Sequence, residues 1–251
     1  MFFLADKQII TLITGAERGL GLQYAKNLGK AGHVIIIGAY DMTAGQAALK
    51  ELQDDGITVL LSHCDITDQA TVDETMATIK AKYGYLNILL NNAGISSPAF
   101  EKPSETSDEH IEKCFATNFY GTNRVIRAAV PLLKAADWAK VINMTSDLSS
   151  LTRAMDPKYG YSKINDLPYQ ASKTAVNALT MGYAKEFAGT NITFNSVNPG
   201  MTATDLVNKK QFEANGAQSV EAGAKAATEL ALAKNNDVNG QFLEAAGKIA
   251  W

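Results

Sequence analysis

The sequence predicts an α/β fold built on one doubly wound parallel sheet of about seven strands, with helices on both faces. Three observations predict it. Short apolar runs alternate with helix-period segments along the chain. These runs are apolar throughout rather than every second residue, the mark of strands buried on both faces. The spacers are long enough to be crossover helices, which join parallel neighbours. With 251 residues the chain can bury a core without staples, and it is expected to form a single domain over 1–251.

The elements follow in order. Ile9–Ile13 is β-branched and stops at Thr14-Gly15, after which Leu20–Lys30 reads as a helix. Val34–Ile37 and Ala44–Gln53 form the next pair, then Val59–Leu61 and Gln69–Tyr83. Ile88–Leu90 precedes a long helical pattern over Asp108–Lys134, and Val141–Met144 is apolar again. Tyr169–Phe187 reads helical, Ile192–Val197 as strand and Val220–Ala233 as helix. Two stretches break the rhythm, a polar loop over 147–168 and an irregular segment over 201–218 that follows Pro199-Gly200. Loops of this length in a compact domain usually carry function.

Composition narrows the function. Cys64 and Cys114 are the only cysteines, so there is no disulfide framework, and both are expected as buried thiols. The net charge is −3 with no basic block, which leaves no electrostatic footprint for nucleic acid. His33, His63 and His110 are scattered without metal-ligand spacing. Asp6 and Lys7 interrupt the N-terminal apolar run, and no eighteen-residue apolar window occurs. The expectation is a cytoplasmic protein with neither leader nor membrane span.

The first turn reads Thr14-Gly15-Ala16-Glu17-Arg18-Gly19-Leu20-Gly21. Glycines there let backbone approach a pyrophosphate, whose charge then meets a helix N-terminus. TGxxxGxG in this position resembles the classical short-chain dehydrogenase/reductase family, and the resemblance recurs along nearly the whole chain. Asn91-Asn92-Ala93-Gly94 is similar to the family's NNAG segment, and Asn118 matches its active-site asparagine. Tyr169-Gln170-Ala171-Ser172-Lys173 matches YxxxK, and Pro199-Gly200-Met201-Thr202-Ala203-Thr204 matches PGxxxT. The implied fold is Rossmann-type. The implied contacts to a nicotinamide dinucleotide are Thr14, Gly15, Arg18, Gly19, Leu20 and Gly21 in the turn and Tyr40 past the second strand. They continue with Asp65 and Ile66 past the third strand and Asn92, Ala93 and Gly94 past the fourth. Tyr169, Lys173, Pro199, Gly200, Thr202 and Thr204 complete them.

Carbonyl reduction needs a proton donor beside the carbonyl oxygen. Tyr169 and Lys173 are four apart and share a helix face, and a nearby ammonium lowers a phenol from its ordinary value of about 10. By resemblance, Lys173 also holds the nicotinamide ribose, Asn118 holds a water of the proton relay, and Ser146 binds the carbonyl oxygen. Tyr159-Gly160-Tyr161-Ser162-Lys163 satisfies YxxxK as well, 13 residues after Ser146, the family's usual spacing, where Tyr169 comes 23 after it. Tyr169 is preferred because Lys173 continues into an uninterrupted helix whereas Pro168 ends what Lys163 begins, and because Pro199 follows it by 30 residues, as in the family. Tyr159–Lys163 then belongs to an insertion that reshapes the substrate entrance. Ser149 and Ser150 read as plain loop hydroxyls.

The cofactor selector reads toward NADP(H). No acid stands at Ala39, the family's ribose-binding position, and Asp41 reads as the cap of the next helix. Arg18 can clamp a 2′-phosphate. Tyr40 stands where many phosphate-cofactor relatives carry a second arginine, so NAD(H) remains the alternative. Asp65 matches the family residue that meets the adenine amino group, or caps the helix after it.

The resulting expectation is an NAD(P)H-dependent carbonyl reductase acting on a small-molecule ketone or aldehyde. The alternative is a nicotinamide-binding regulator of the same fold without chemistry; an extended-type dehydratase or epimerase fits the glycine spacing and length less well. The substrate pocket falls to 96–106, 147–168 and 202–218. The resemblance implies a homodimer or homotetramer, with a monomer as alternative because insertions before the catalytic helix accompany monomers in some carbonyl reductases.

Overall fold

Ile10–Thr14 (β1) is an interior strand of the sheet, flanked on one side by Val34–Ala39 (β2) and on the other by Ile88–Asn91 (β4). The computed structural model describes residues 7–97, 101–204, 206, 214 and 216–251. Val59–His63 (β3) closes one edge, while Ala139–Met144 (β5), Ile192–Val197 (β6), Phe242–Glu244 (β7) and Gly247–Lys248 (β8) continue past β4. The order is β3-β2-β1-β4-β5-β6-β7-β8, all parallel except the antiparallel β7–β8 pair. The two-residue β8 makes eight strands among the described residues, against about seven expected.

The helices are Gly19–Lys30 (α1), Met42–Asp54 (α2), Gln69–Lys82 (α3), Asp108–Cys114 (α4), Thr122–Lys134 (α5), Leu151–Ala154 (α6), Leu167–Glu186 (α7), Val220–Gly223 (α8) and Lys225–Leu232 (α9). Alternation of strand side chains splits each apolar run between two cores. Leu12, Ile36, Leu89 and Val141 face α3, α5 and α7, whereas Ile13, Ile37, Leu90 and Ile142 face α1, α2 and α9. Both cores are closed by fully buried aromatics, Phe194 in the first and Tyr24 in the second.

Several expectations are corrected in detail. β3 is only half-buried because it is an edge strand, although Leu60 packs on one core and Val59 and Leu61 on the other. The long helical pattern over 108–134 is continuous but π-helical across Phe115–Gly121, between α4 and α5. The helix at 220–233 is broken at Ala224 into α8 and α9. Pro168 does not end a helix but opens α7, where a first-turn proline forfeits no intrahelical bond. The segment 147–168 contains 3-10 turns at Asp147–Ser149 and Gly160–Lys163 and the short α6.

Past β1 the chain runs outward to β2 and β3, and then returns to place β4 on β1's other side. The C-terminal ends of β1 and β4 therefore part at a topological switch point, where open α/β sheets bind ligands.

Candidate active site

A cleft of about 840 Å³ opens at that switch point. One end is formed by the turn between β1 and α1. Gly15 and Gly19 have φ of +64° and +55° there, a region that suits glycine. Gly21 lies beneath, where an added Cβ would come within 2.1 Å of the Gly15 carbonyl oxygen. Thr14 Oγ1 accepts from Asn92 N and Ala93 N, both at 3.1 Å. Asn92 Nδ2 donates to the carbonyls of Thr14 and Gly15, each at 3.0 Å. The ends of β1 and β4 are thereby tied together, with the N-terminus of α1 open to the cleft.

Among the proposed cofactor contacts, Gly15, Arg18, Gly19, Leu20, Tyr40, Asp65, Ile66, Asn92, Ala93, Gly94, Tyr169, Lys173, Pro199 and Thr204 line this cleft. Thr14, Gly21, Gly200 and Thr202 do not line it, and neither do Ser146 and Asn118 of the expected catalytic set. Thr202 pairs with Gln218 across the ends of the 201–218 segment, and Gln218 Nε2 donates to the Pro199 carbonyl. Asp205, residues 207–213 and Asn215, part of the expected substrate loop, lie outside the described residues, as do residues 98–100. Asp41 accepts from Thr43 N and Ala44 N and so caps α2, as expected. Asp65 does not cap α3, a role taken by Asp68; its Oδ1 accepts from Thr67 N and Thr67 Oγ1.

At the other end stand the residues of β5, α7 and the π-helical turn. Tyr169 lies in the first turn of α7, whose N-cap Asp166 accepts from Tyr169 N at 3.4 Å. The Ser146 hydroxyl lies near enough to the Tyr169 phenol to favour its charged form, and Ser146 itself caps the 3-10 turn after β5 through Leu148 N. Lys173 is buried one helical turn further on, with Nζ donating to the Met144 carbonyl at 2.9 Å and lying 5.8 Å from the Tyr169 ring centroid. Asn118 sits in the π-helical turn, a rare geometry often found at functional sites. Its Oδ1 accepts from Ile95 N, and its Nδ2 donates to the Ile95 carbonyl and to Ser172 Oγ.

Electrostatics here depart from the simple sequence argument. Burial pushes the Tyr169 phenol up to about 12, and the nearby Ser146 hydroxyl opposes that rise without cancelling it. Burial also pushes the Lys173 ammonium down to about 8. The expected lowering of the phenol by Lys173 is absent because the low-dielectric surroundings oppose both charged forms. Tyr169 therefore keeps its proton at neutral pH.

Sequence reasoning passed over several residues of the site. Ser172, inside the YxxxK segment, donates to the Tyr169 carbonyl and accepts from Asn118, joining α7 to the π-helical turn. Its spacing of three from Tyr169 was the available signal. Glu17, Cys114 and Met144 also line the cleft, and nothing local in their surroundings marks them. Ser149 and Ser150 are not plain loop hydroxyls. Ser149 receives Asn177 and Thr174 from α7, and Ser150 caps α6 and donates to the Ala250 carbonyl. The competing Tyr159 ring lies against the Arg153 guanidinium at 4.6 Å, outside the residues that line the large cleft.

The sheet order and the cleft at its switch point define a Rossmann-type α/β protein. The profile of the short chain dehydrogenase family matches residues 9–215; the chain belongs to that family and is an oxidoreductase. A short-chain type dehydrogenase/reductase of Picea abies is 30% identical over 239 residues, covering 91% of this chain and 82% of that protein. NADPH carbonyl reductase 1 of Bos taurus is 27% identical over 99% of this chain and all 100% of its own length. The structure of NADPH-bound carbonyl reductase from chicken fatty liver superposes with a TM-score of 0.82 at 22% identity, covering 97% of this chain and 100% of that one; at that identity the likeness speaks to the fold.

Proposed function

We propose that this chain, acting as one dinucleotide-binding domain, is a carbonyl reductase that interconverts a ketone or aldehyde with its alcohol, using NADP(H) and also accepting NAD(H). The observation that carries the reading is that Tyr169 and Lys173 line one end of a cleft whose other end is a glycine turn at a helix N-terminus, with Ser146 close to the Tyr169 phenol. The walls fit a dinucleotide. Backbone must pass close at Gly15 and Gly94, where a Cβ would come within 3.0 Å of the Ala93 Cα and of Asn118 Oδ1 respectively.

When bound, the nicotinamide supplies the hydride. Tyr169 donates its proton to the carbonyl oxygen, a role suited to a phenol that stays protonated at neutral pH. Ser146, beside that phenol, holds the same oxygen. Lys173 binds the ribose hydroxyls beside Tyr169, and Asn118 holds the α4–α5 turn and a water against α7.

The test follows NADPH and, separately, NADH absorbance with a panel of ketones and aldehydes. Tyr169→Phe is expected to lose about 10²- to 10⁴-fold in turnover, the range of one positioned proton donor, while still binding cofactor. Equal turnover by Tyr169→Phe would overturn the assignment of the proton donor. Cofactor binding without turnover on any substrate would favour a regulator of the same fold.

A further inference from the structure

Glu17 stands in the turn between β1 and α1, only 8% exposed, yet it lines the large cleft. Its Oε2 is buried with no hydrogen-bond partner. A buried carboxylate oxygen is costly unless something donates to it, and an orphaned one points to a donor that arrives with a ligand. Among the described residues Glu17 makes no ion pair, although Arg18 follows it directly.

The neighbouring wall is formed by Arg18, Tyr40, Cys64 and Asp65, at the ends of β1, β2 and β3. The other acids of this end are differently engaged. Ala39 leaves the tip of β2 without a carboxylate, Asp41 is used as the α2 cap, and Asp65 Oδ1 is occupied by Thr67. Two opposite charges thus sit on consecutive residues of the phosphate-binding turn. A guanidinium favours a 2′-phosphate on the adenosine ribose, whereas a carboxylate favours a free 2′-hydroxyl that can donate to it.

We infer that Glu17 accepts the free 2′-hydroxyl of the adenosine ribose and thereby sets cofactor choice against Arg18, holding the preference for the phosphorylated dinucleotide small. The inference rests on the nicotinamide-dependent reading above and deepens it: Glu17 does from the β1 turn what an acid at the tip of β2 would do.

Calorimetric titration of the full chain with NADPH and with NADH tests it, alongside Glu17→Gln, Glu17→Ser and Arg18→Ala, with thermal melts to confirm that each variant is folded. Both Glu17 variants should raise the ratio of the NADH to the NADPH dissociation constant about tenfold, the size of one hydrogen bond to a charged group. Arg18→Ala should move the ratio in the opposite direction. If both cofactors bind and the ratio stays within about twofold of the parent's in Glu17→Gln and in Glu17→Ser, the inference is overturned while the reductase reading stands. If the parent binds neither cofactor, both fall together. Should Glu17→Gln fail to fold, Glu17→Ser, which removes the buried carboxylate outright, decides alone.

Discussion

Lys173 Nζ donates to the carbonyl oxygen of Met144 at 2.9 Å, so the helix that carries Tyr169 is clasped to the end of β5 by a buried ammonium. The contact aligns two elements that the chain separates by an insertion, and it comes at a thermodynamic cost. Burial lowers the ammonium to about 8 from its ordinary value near 10.5. Between those two values the unfolded chain binds the proton and the folded one does not, so stability rises with pH across that window. A displacement of that size is worth about 3 kcal/mol. Lys173→Met should therefore gain most against the parent below pH 8 and lose that advantage as the pH approaches 10, read from urea midpoints at pH 7 and 9.5. A gap independent of pH would contradict the buried titration.

A second buried base lies at the opposite end of the sheet. His33 Nδ1 shares a 3.0 Å hydrogen bond with Thr11 Oγ1, and burial together with nearby Lys140 lowers the imidazole. As the pH falls below about 6.5, the unfolded chain takes up a proton that the folded chain refuses, so stability is lost on the acid side. His33→Gln should flatten the decline in the denaturant midpoint between pH 7.5 and 5.

The glycine turn sets a steric test. Gly21→Ala would drive a Cβ to 2.1 Å from the Gly15 carbonyl oxygen and 2.7 Å from Asn92 Nδ2, and backbone there cannot yield without opening the β1–β4 tie. The expected result is a stability loss of about 1–3 kcal/mol, as for other overpacked sites, together with loss of dinucleotide binding by titration. Gly32→Ala, with no atom within 4 Å of an added Cβ but φ of +93°, serves as the comparison, expected to cost stability through backbone strain alone and to leave binding intact.

The insertion is held by charge. Arg153 pairs with Asp147 at 2.6 Å and, through both terminal nitrogens, with Glu244 at 2.9 and 2.7 Å, all three side chains mostly buried. Ser150 and Thr152 meanwhile donate to the Ala250 and Trp251 carbonyls, and Trp251 stacks on Phe242 at 5.5 Å. Arg153→Met leaves two carboxylates facing each other and should cost about 3 kcal/mol; limited proteolysis is expected to cut first within 147–168. Glu244→Gln keeps an acceptor for the guanidinium and should cost less.

How far the sequence reached is visible in particular elements. The apolar runs at Ile10–Thr14, Val34–Ala39 and Ile88–Asn91 announced buried parallel strands because two-sided burial leaves no polar alternation. Which helices cover each face, and the half-exposed edge at β3, depend on strand order, which no single run encodes. Pro168 misled because a proline that stops one helix and one that opens another look alike until the neighbouring chain is placed.

The sequence by itself determined the α/β class, the glycine turn and the α2 cap by Asp41, which follow from periodicity and local geometry, while Asn118, Ser146, Tyr169 and Lys173 were singled out by the motifs that resemble the family's. Only the tertiary structure decided that Ser149 is engaged by α7 and Ser150 by the Ala250 carbonyl, that Tyr159 stands outside the large cleft that Tyr169 lines, and that Glu17 is buried beside Arg18 with an oxygen unpaired. Desolvation and hydrogen-bond partnership are properties of neighbours distant in the chain. They arise when β1, β4, β5 and α7 come together, and they moved the Tyr169 phenol upward where proximity to Lys173 alone had implied the reverse.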